Sequence, residues 1–273
     1  MEGCIVNDYF CSLFNKEPFE IIDNDYYFDT NKNGDNFDES DVELWLNKGV
    51  FERAWKKAQN DDMFSIFAPD ILNAFSTTPA SFLEISCGPG MGLAPILLSK
   101  YPQTPCLVSD ASSLLIKSWK KYLNNNLQQC NINLASFNTL DMPIKNNSFD
   151  IVTSFIGISS TREGENGEVQ ALNEIFRVLK SGGCLIAIEN EWIDFDAIRR
   201  VFELWNQPIW NGLIKRKTWH RKFTEAGFII ESCDKIFLRN LSKNDNDLGA
   251  KADRFGITIK LKFTLFILRK PVI

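Results

Sequence analysis

The segment Phe82-Leu83-Glu84-Ile85-Ser86-Cys87-Gly88-Pro89-Gly90-Met91-Gly92 constrains the fold of this chain more than any other. An apolar run reads as a buried strand, the glycines as a tight turn, and residues 93–100 as the helix that follows. A strand that enters a helix through so short a turn is how a parallel sheet with crossover helices begins. Glycines there let the backbone approach a ligand closely, and the amides at a helix start favour an anionic group. Pro95 falls in the first helical turn, where it costs little. The same residues would also serve as a plain strand-to-helix turn, so the neighbours must decide.

After Pro79 the pattern repeats. Strands are expected at 81–86, 106–109, 133–137, 150–155 and 184–188, with helical periodicity at 114–123 and 169–179. Two long strand-like runs, 228–238 and 257–268, are joined by a charged stretch without a crossover helix and should pair antiparallel at one sheet edge. Residues 1–79 differ: aromatic residues (Tyr9, Phe10, Phe14, Tyr26, Tyr27, Phe28) surround an Asn/Asp-rich stretch, 23–39, read as loop. Ser40-Asp41-Val42-Glu43 then has the spacing of a capping box ahead of an apolar stripe from Val42 to Ala58. A helical N-terminal lobe is expected over 1–79, its aromatics mostly core.

Asp110 ends the second strand, where its carboxylate could accept both hydroxyls of a ribose above the glycine turn; capping the next helix is the other reading, a role Ser112 could also fill. The chain has 273 residues, 44% of them hydrophobic and 24% charged, enough for a real core. A formal charge of -5 offers no basic stripe for phosphates, so nucleic acid is not an expected partner. The seven cysteines are scattered without a CxxC pair and read as reduced packing residues, and a single histidine leaves no zinc spacing. No basic leader precedes a long apolar core and no run spans a bilayer, so a cytoplasmic protein without a membrane partner is expected.

From Ser81 to Cys233 the chain resembles the class I S-adenosyl-L-methionine (SAM)-dependent methyltransferases of the small-molecule type with the generic methyltransferase domain. The resemblance lies in Glu84 to Gly92, in Asp110-Ala111-Ser112, in Asn138 to Pro143 followed by Asn147 to Val152, in Asn173 to Gly183, and in Thr224 to Phe228. It implies an α/β, Rossmann-like, doubly wound and mostly parallel sheet over 80–273, with the antiparallel C-terminal pair and the helical lobe added. It also implies a cofactor site of Glu84, Ser86, Cys87, Gly88, Gly90, Asp110, Ala111, Asn138, Thr139 and Ser154. Two positions depart from the family's pattern. Ser86 replaces the first glycine and would crowd the methionine end of the cofactor. Asn138 stands where an aspartate often accepts from the adenine amino group, although its amide oxygen can still do so and Asp141 is a nearby substitute.

In-line methyl transfer to a small-molecule acceptor needs positioning and exclusion of water, and a base only for some acceptors. Acceptor-side candidates are Tyr26 and Tyr27 in the lobe, Ser159 and Arg162 after the fourth strand, and Glu189, Glu191 and Trp192 after the fifth. The two glutamates could act as base or anchor, or be solvated loop acids. His220 has a suitable pKa but lies in the helix before the sixth strand, away from the rim. Residues 192–219, rich in tryptophan and phenylalanine, read as a lid or as packing between lobe and sheet. A nicotinamide oxidoreductase would want glycine at Leu93. A macromolecule methyltransferase and a non-catalytic SAM-binding scaffold remain as alternatives.

Overall fold

The computed structural model describes residues 9–28, 38–75, 77–126, 131–161, 163–210, 213 and 217–272. Their backbone is dominated by one ten-stranded sheet. The short strands β1 (Glu20–Ile22) and β2 (Asp25–Tyr27) come first, and the helices α1 (Glu39–Asn47), α2 (Val50–Trp55), α3 (Lys57–Asn60) and α4 (Asp62–Asn73) follow. Strands and helices then alternate: β3 (Phe82–Ile85), α5 (Ala94–Lys100), β4 (Cys106–Asp110), α6 (Ser113–Asn126), β5 (Ile132–Ser136), β6 (Phe149–Phe155), α7 (Glu165–Val178) and β7 (Leu179–Trp192). The chain closes with α8 (Phe195–Trp205), α9 (Trp219–Glu225), β8 (Ile229–Ser232), β9 (Ile236–Asn240), α10 (Asp247–Arg254) and β10 (Lys260–Arg269).

Across the sheet the order is β1-β2-β5-β4-β3-β6-β7-β10-β8, with β9 also on β10. The pairs from β2 through β7 are parallel, whereas β1, β8, β9 and β10 run antiparallel to their neighbours. The central strands are buried on both faces, as continuous apolar runs require. Phe82, Val108, Ile151 and Ile186 point into one core with α5, α6 and the N-terminal helices. Leu83, Leu107, Val152 and Leu185 point into the other with α7 and α9. From β3 the chain moves outward through β4 and β5, then returns to β6 on the other side. The carboxyl ends of β3 and β6 therefore flank the point where the strand order reverses, the usual crevice for a ligand in an open α/β sheet.

The N-terminal region departs from the expected lobe. Residues 20–27, which overlap the start of the stretch read as loop (23–39), form a hairpin whose β2 extends the main sheet by pairing with β5. Tyr26 and Tyr27 are 0% and 1% exposed, so they are core residues and not the pocket lining expected of them. The capping box lies two residues earlier than read: Asp38 accepts from the Ser40 and Asp41 amides, and Asp41 accepts in return from the Asp38 amide. The helical stripe is interrupted at Gly49, which has φ of +61°, and its pieces pack into the same core as the sheet.

At the other end the antiparallel edge forms, but the run 228–238 divides into β8 and β9, which pair with successive halves of β10. The charged stretch after β9 contains α10, and β7 extends past both ends of the strand read at 184–188. Cys87, Cys106 and Cys184 are free and buried; Cys4 and Cys130 lie outside the described residues. Among the described residues no helix is long and apolar enough to cross a membrane, and no cluster of metal-ligating side chains occurs. Because Tyr26 is sealed against Phe14 at a ring distance of 4.7 Å, Tyr26→Ala should lower the unfolding free energy by about 3–5 kcal/mol. Urea denaturation checks this, and a loss below about 1 kcal/mol would mean that the hairpin is not integral to the sheet.

Candidate functional site

The glycine turn after β3 is held from below. Glu84 is fully buried; its carboxylate accepts from the Leu93 amide at 2.8 Å and from the Thr153 hydroxyl of β6. Gly92 lies directly against it: a Cβ there would fall 1.8 Å from Oε1, and φ is +49°. Glu84 thus supports the turn from beneath. Burial raises its pKa to about 7, while the bonds from Thr153 and Leu93 and the charge of Lys57 pull the other way. On the other side, the Lys57 ammonium of α3 donates to the carbonyls of Gly90 and Gly92. Burial lowers the Lys57 pKa to about 8 against the opposing pull of Glu84.

From β4, the Asp110 carboxylate accepts from the Gly88 amide at 2.9 Å and the Ser112 amide at 3.0 Å. The cap of α6 is Ser112, whose hydroxyl accepts from the Leu115 amide at 3.2 Å. Asp110 and Ala111 are half-buried at the rim of the turn. The Trp119 indole of α6 donates to the Gly88 carbonyl at 3.1 Å. Cys87 is buried beneath the turn, and burial pushes its thiol well above the ordinary range, so it is packing and not a nucleophile.

Ser86 adopts φ of +49°, the left-handed region that the glycine it replaces would enter freely. Its hydroxyl lies 3.1 Å from that of Thr139. Ser154 at the end of β6 is fully buried, and its hydroxyl has no hydrogen-bond partner. Gly157 fits between Ser154 and Ser86, since a Cβ there would lie 2.8 Å from the Ser154 hydroxyl oxygen and 2.9 Å from the Ser86 Cβ. Asn138 is exposed and its side-chain oxygen accepts from the Leu140 amide at 3.0 Å. The substitute Asp141 is taken up by Lys16 at 2.6 Å.

The acceptor-side residues are more scattered than expected. Glu189 is fully buried, and its Oε1 accepts from the Ile158 amide at 3.3 Å; it anchors the loop after β6 and is not a solvated acid. Glu191 is ion-paired with Lys262 of β10. Ser159 donates to the Ile156 carbonyl at 3.1 Å within a turn, and Arg162 lies outside the described residues. Trp192 packs between the sheet core and the cluster formed by α8 and α10. His220 is exposed on α9. Lys57, Trp119 and Thr153 were not legible as site residues; the one signal was a lysine on the apolar stripe of Phe51 and Ala54.

This is the fold of the class I SAM-dependent methyltransferases. Phosphoethanolamine N-methyltransferase 2 of Haemonchus contortus, solved with S-adenosyl-L-methionine, shares this fold at a TM-score of 0.52 and 15% identity, covering 84% of this chain and 60% of that one. More particularly, the chain belongs to the ubiE/COQ5 methyltransferase family, whose model matches residues 54–222. The demethylmenaquinone methyltransferase of Lactococcus lactis is 30% identical over 167 residues, which cover 59% of this chain and 64% of that protein. The ubiquinone/menaquinone biosynthesis C-methyltransferase UbiE of Erwinia tasmaniensis is 29% identical over 100 residues, covering 37% and 38%. The chain thus matches less than two thirds of the length of either relative.

Gly92→Ala should lower stability by about 3 kcal/mol, from a left-handed alanine and an overpacked Glu84; an unchanged urea midpoint would contradict the packing described for the turn. Asp110→Ala should weaken binding of S-adenosylhomocysteine by about 1–3 kcal/mol. Calorimetric titration of the folded variant checks this, and unchanged affinity would remove Asp110 from the site.

Proposed function

We propose that this chain is a SAM-dependent C-methyltransferase acting on a reduced, quinone-type aromatic ring. The observation that carries the reading is the joining of the family's glycine turn to an acidic strand end. Asp110 stands beside Gly88 at the reversal of strand order, in a chain whose relatives are demethylmenaquinone and ubiquinone/menaquinone methyltransferases.

The residues present fit the cofactor. Gly88 is open in the direction a side chain would take, where a Cβ would meet nothing within 4 Å. Asp110 offers a carboxylate for a ribose diol, with Ala111 beside it, and Asn138 and Thr139 mark the adenine side. Ser86 and the unpartnered hydroxyl of Ser154 supply polar groups for the amino-acid end. Bound there, S-adenosyl-L-methionine supplies a methyl group activated by its sulfonium.

The chain's own contribution is positioning and dryness. Phe155 ends β6 with the Phe64 ring 4.9 Å away, an apolar wall that excludes water beside the turn. Glu189 fixes the loop after β6 through the Ile158 amide and acts on an acceptor only through that loop. His220 and Glu191 have no part in this reading, because one is exposed on α9 and the other is held by Lys262. An electron-rich hydroquinol ring brings its own nucleophilic carbon, so orientation can supply much of the acceleration.

Two measurements test the proposal. Titration with S-adenosylhomocysteine should give saturable binding, with NAD as a silent control. Incubation with methyl-labelled SAM should then label chemically reduced demethylmenaquinone and leave phosphoethanolamine unlabelled. Label on the amine, or on neither acceptor while S-adenosylhomocysteine binds, would overturn the quinone assignment and leave the cofactor site standing.

A further inference from the structure

Lys57 is a buried lysine held against the glycine turn. It lies on the four-residue helix α3, is 5% exposed, and donates to two carbonyls of the glycine turn, those of Gly90 and Gly92. The rings of Phe64 and Phe155 lie 4.6 Å and 5.9 Å from its ammonium. The ionisable groups facing it are Glu84 from β3, Cys87 from the turn and Asp61 at the start of α4.

A glycine-rich turn has little conformational preference of its own, and ordering it costs more entropy than ordering any other residues. Here its peptide planes are held from two sides. Lys57 takes the carbonyls of Gly90 and Gly92, while Glu84 takes the Leu93 amide. The anion is part of the sheet, but the cation belongs to helices outside it. With Lys57 withdrawn, those carbonyls would be left beside two aromatic rings without a partner, which favours a turn of different shape.

We infer that Lys57 is a positioning residue for the cofactor, setting the peptide planes of the glycine turn and so linking the docking of α2–α4 to cofactor binding. This rests on the cofactor reading given above. The linkage is reciprocal: a cofactor that prefers the clamped turn also favours the docked helices. That Lys57 stays buried although burial lowers its pKa fits a charge retained for its contacts.

The test compares Lys57→Met with the wild type in calorimetric titration with S-adenosylhomocysteine, with urea unfolding measured in parallel. The expected result is a dissociation constant raised tenfold or more in a variant that retains the wild-type circular dichroism. A purely structural lysine would lower the urea midpoint and leave the affinity of the folded protein within that limit, which would overturn the inference. Amide exchange in the intact wild-type protein gives a second reading that needs no variant. S-adenosylhomocysteine should slow exchange in 57–60 together with 88–93, and protection of the turn alone would equally overturn the inference. A wild-type protein that fails to bind S-adenosylhomocysteine would instead refute the cofactor reading, and this inference with it.

Discussion

A single buried carboxylate, that of Glu84, underlies the geometry of the site. Placing a carboxylate in a protein interior costs several kcal/mol unless hydrogen bonds and opposite charge offset it. Its partners come from different parts of the chain: the Thr153 hydroxyl from β6, the Leu93 amide from the start of α5, and the charge of Lys57 from α3. These contacts, both hydrogen bonds made to Oε2 while Oε1 has no hydrogen-bond partner, tie the turn to the neighbouring strand and to the N-terminal helices at once. It also explains why residue 92 has no side chain, since a Cβ would overlap the carboxylate.

Around that centre the sheet is extended on both sides by strands outside the parallel core. β10 pairs with β7 over nine residues and carries β8 and β9 on its other edge. On the opposite side β2 is tied to β5 by more than its ladder. Asp25 accepts from the Leu134 amide at 2.9 Å and lies 2.9 Å from the Lys120 ammonium, while burial still raises its pKa. Lys120 is next to Trp119, whose indole holds the Gly88 carbonyl. One helix, α6, thus contacts both the hairpin at the sheet edge and the glycine turn at its centre.

The parallel core was legible because its strands are continuous apolar runs separated by helical periodicity, and Asp110 was legible because it ends such a run. The hairpin was not. Strands of three residues on either side of Asp23 and Asn24, which have φ of +49° and +65°, give no measurable period, and β2 fell in the stretch read as loop. The division of the run 228–238 was also hidden: residues 233–235 separate β8 from β9 inside one apolar run, and β8 itself carries a register shift, with Ile230 and Ser232 facing the adjacent Leu268 and Ile267. Glu189 and Glu191 share a face by strand periodicity, yet one anchors a loop and the other meets Lys262 of β10. Nothing local to either residue distinguishes the two.

By itself the sequence determined the class of fold, the place of the glycine turn and the acidic strand end beside it, because these depend on short-range chemistry: apolar runs, glycine conformations and a carboxylate a fixed distance along the chain. Only the tertiary structure decided which charges are buried and what they hold. Lys57 and Glu84 are 27 residues apart in sequence, and the pull between them exists only once α3 and β3 are packed together. The environment that sets such a charge, its loss of water and its hydrogen-bond partners, is a property of the folded interior and has no counterpart in the order of residues along the chain.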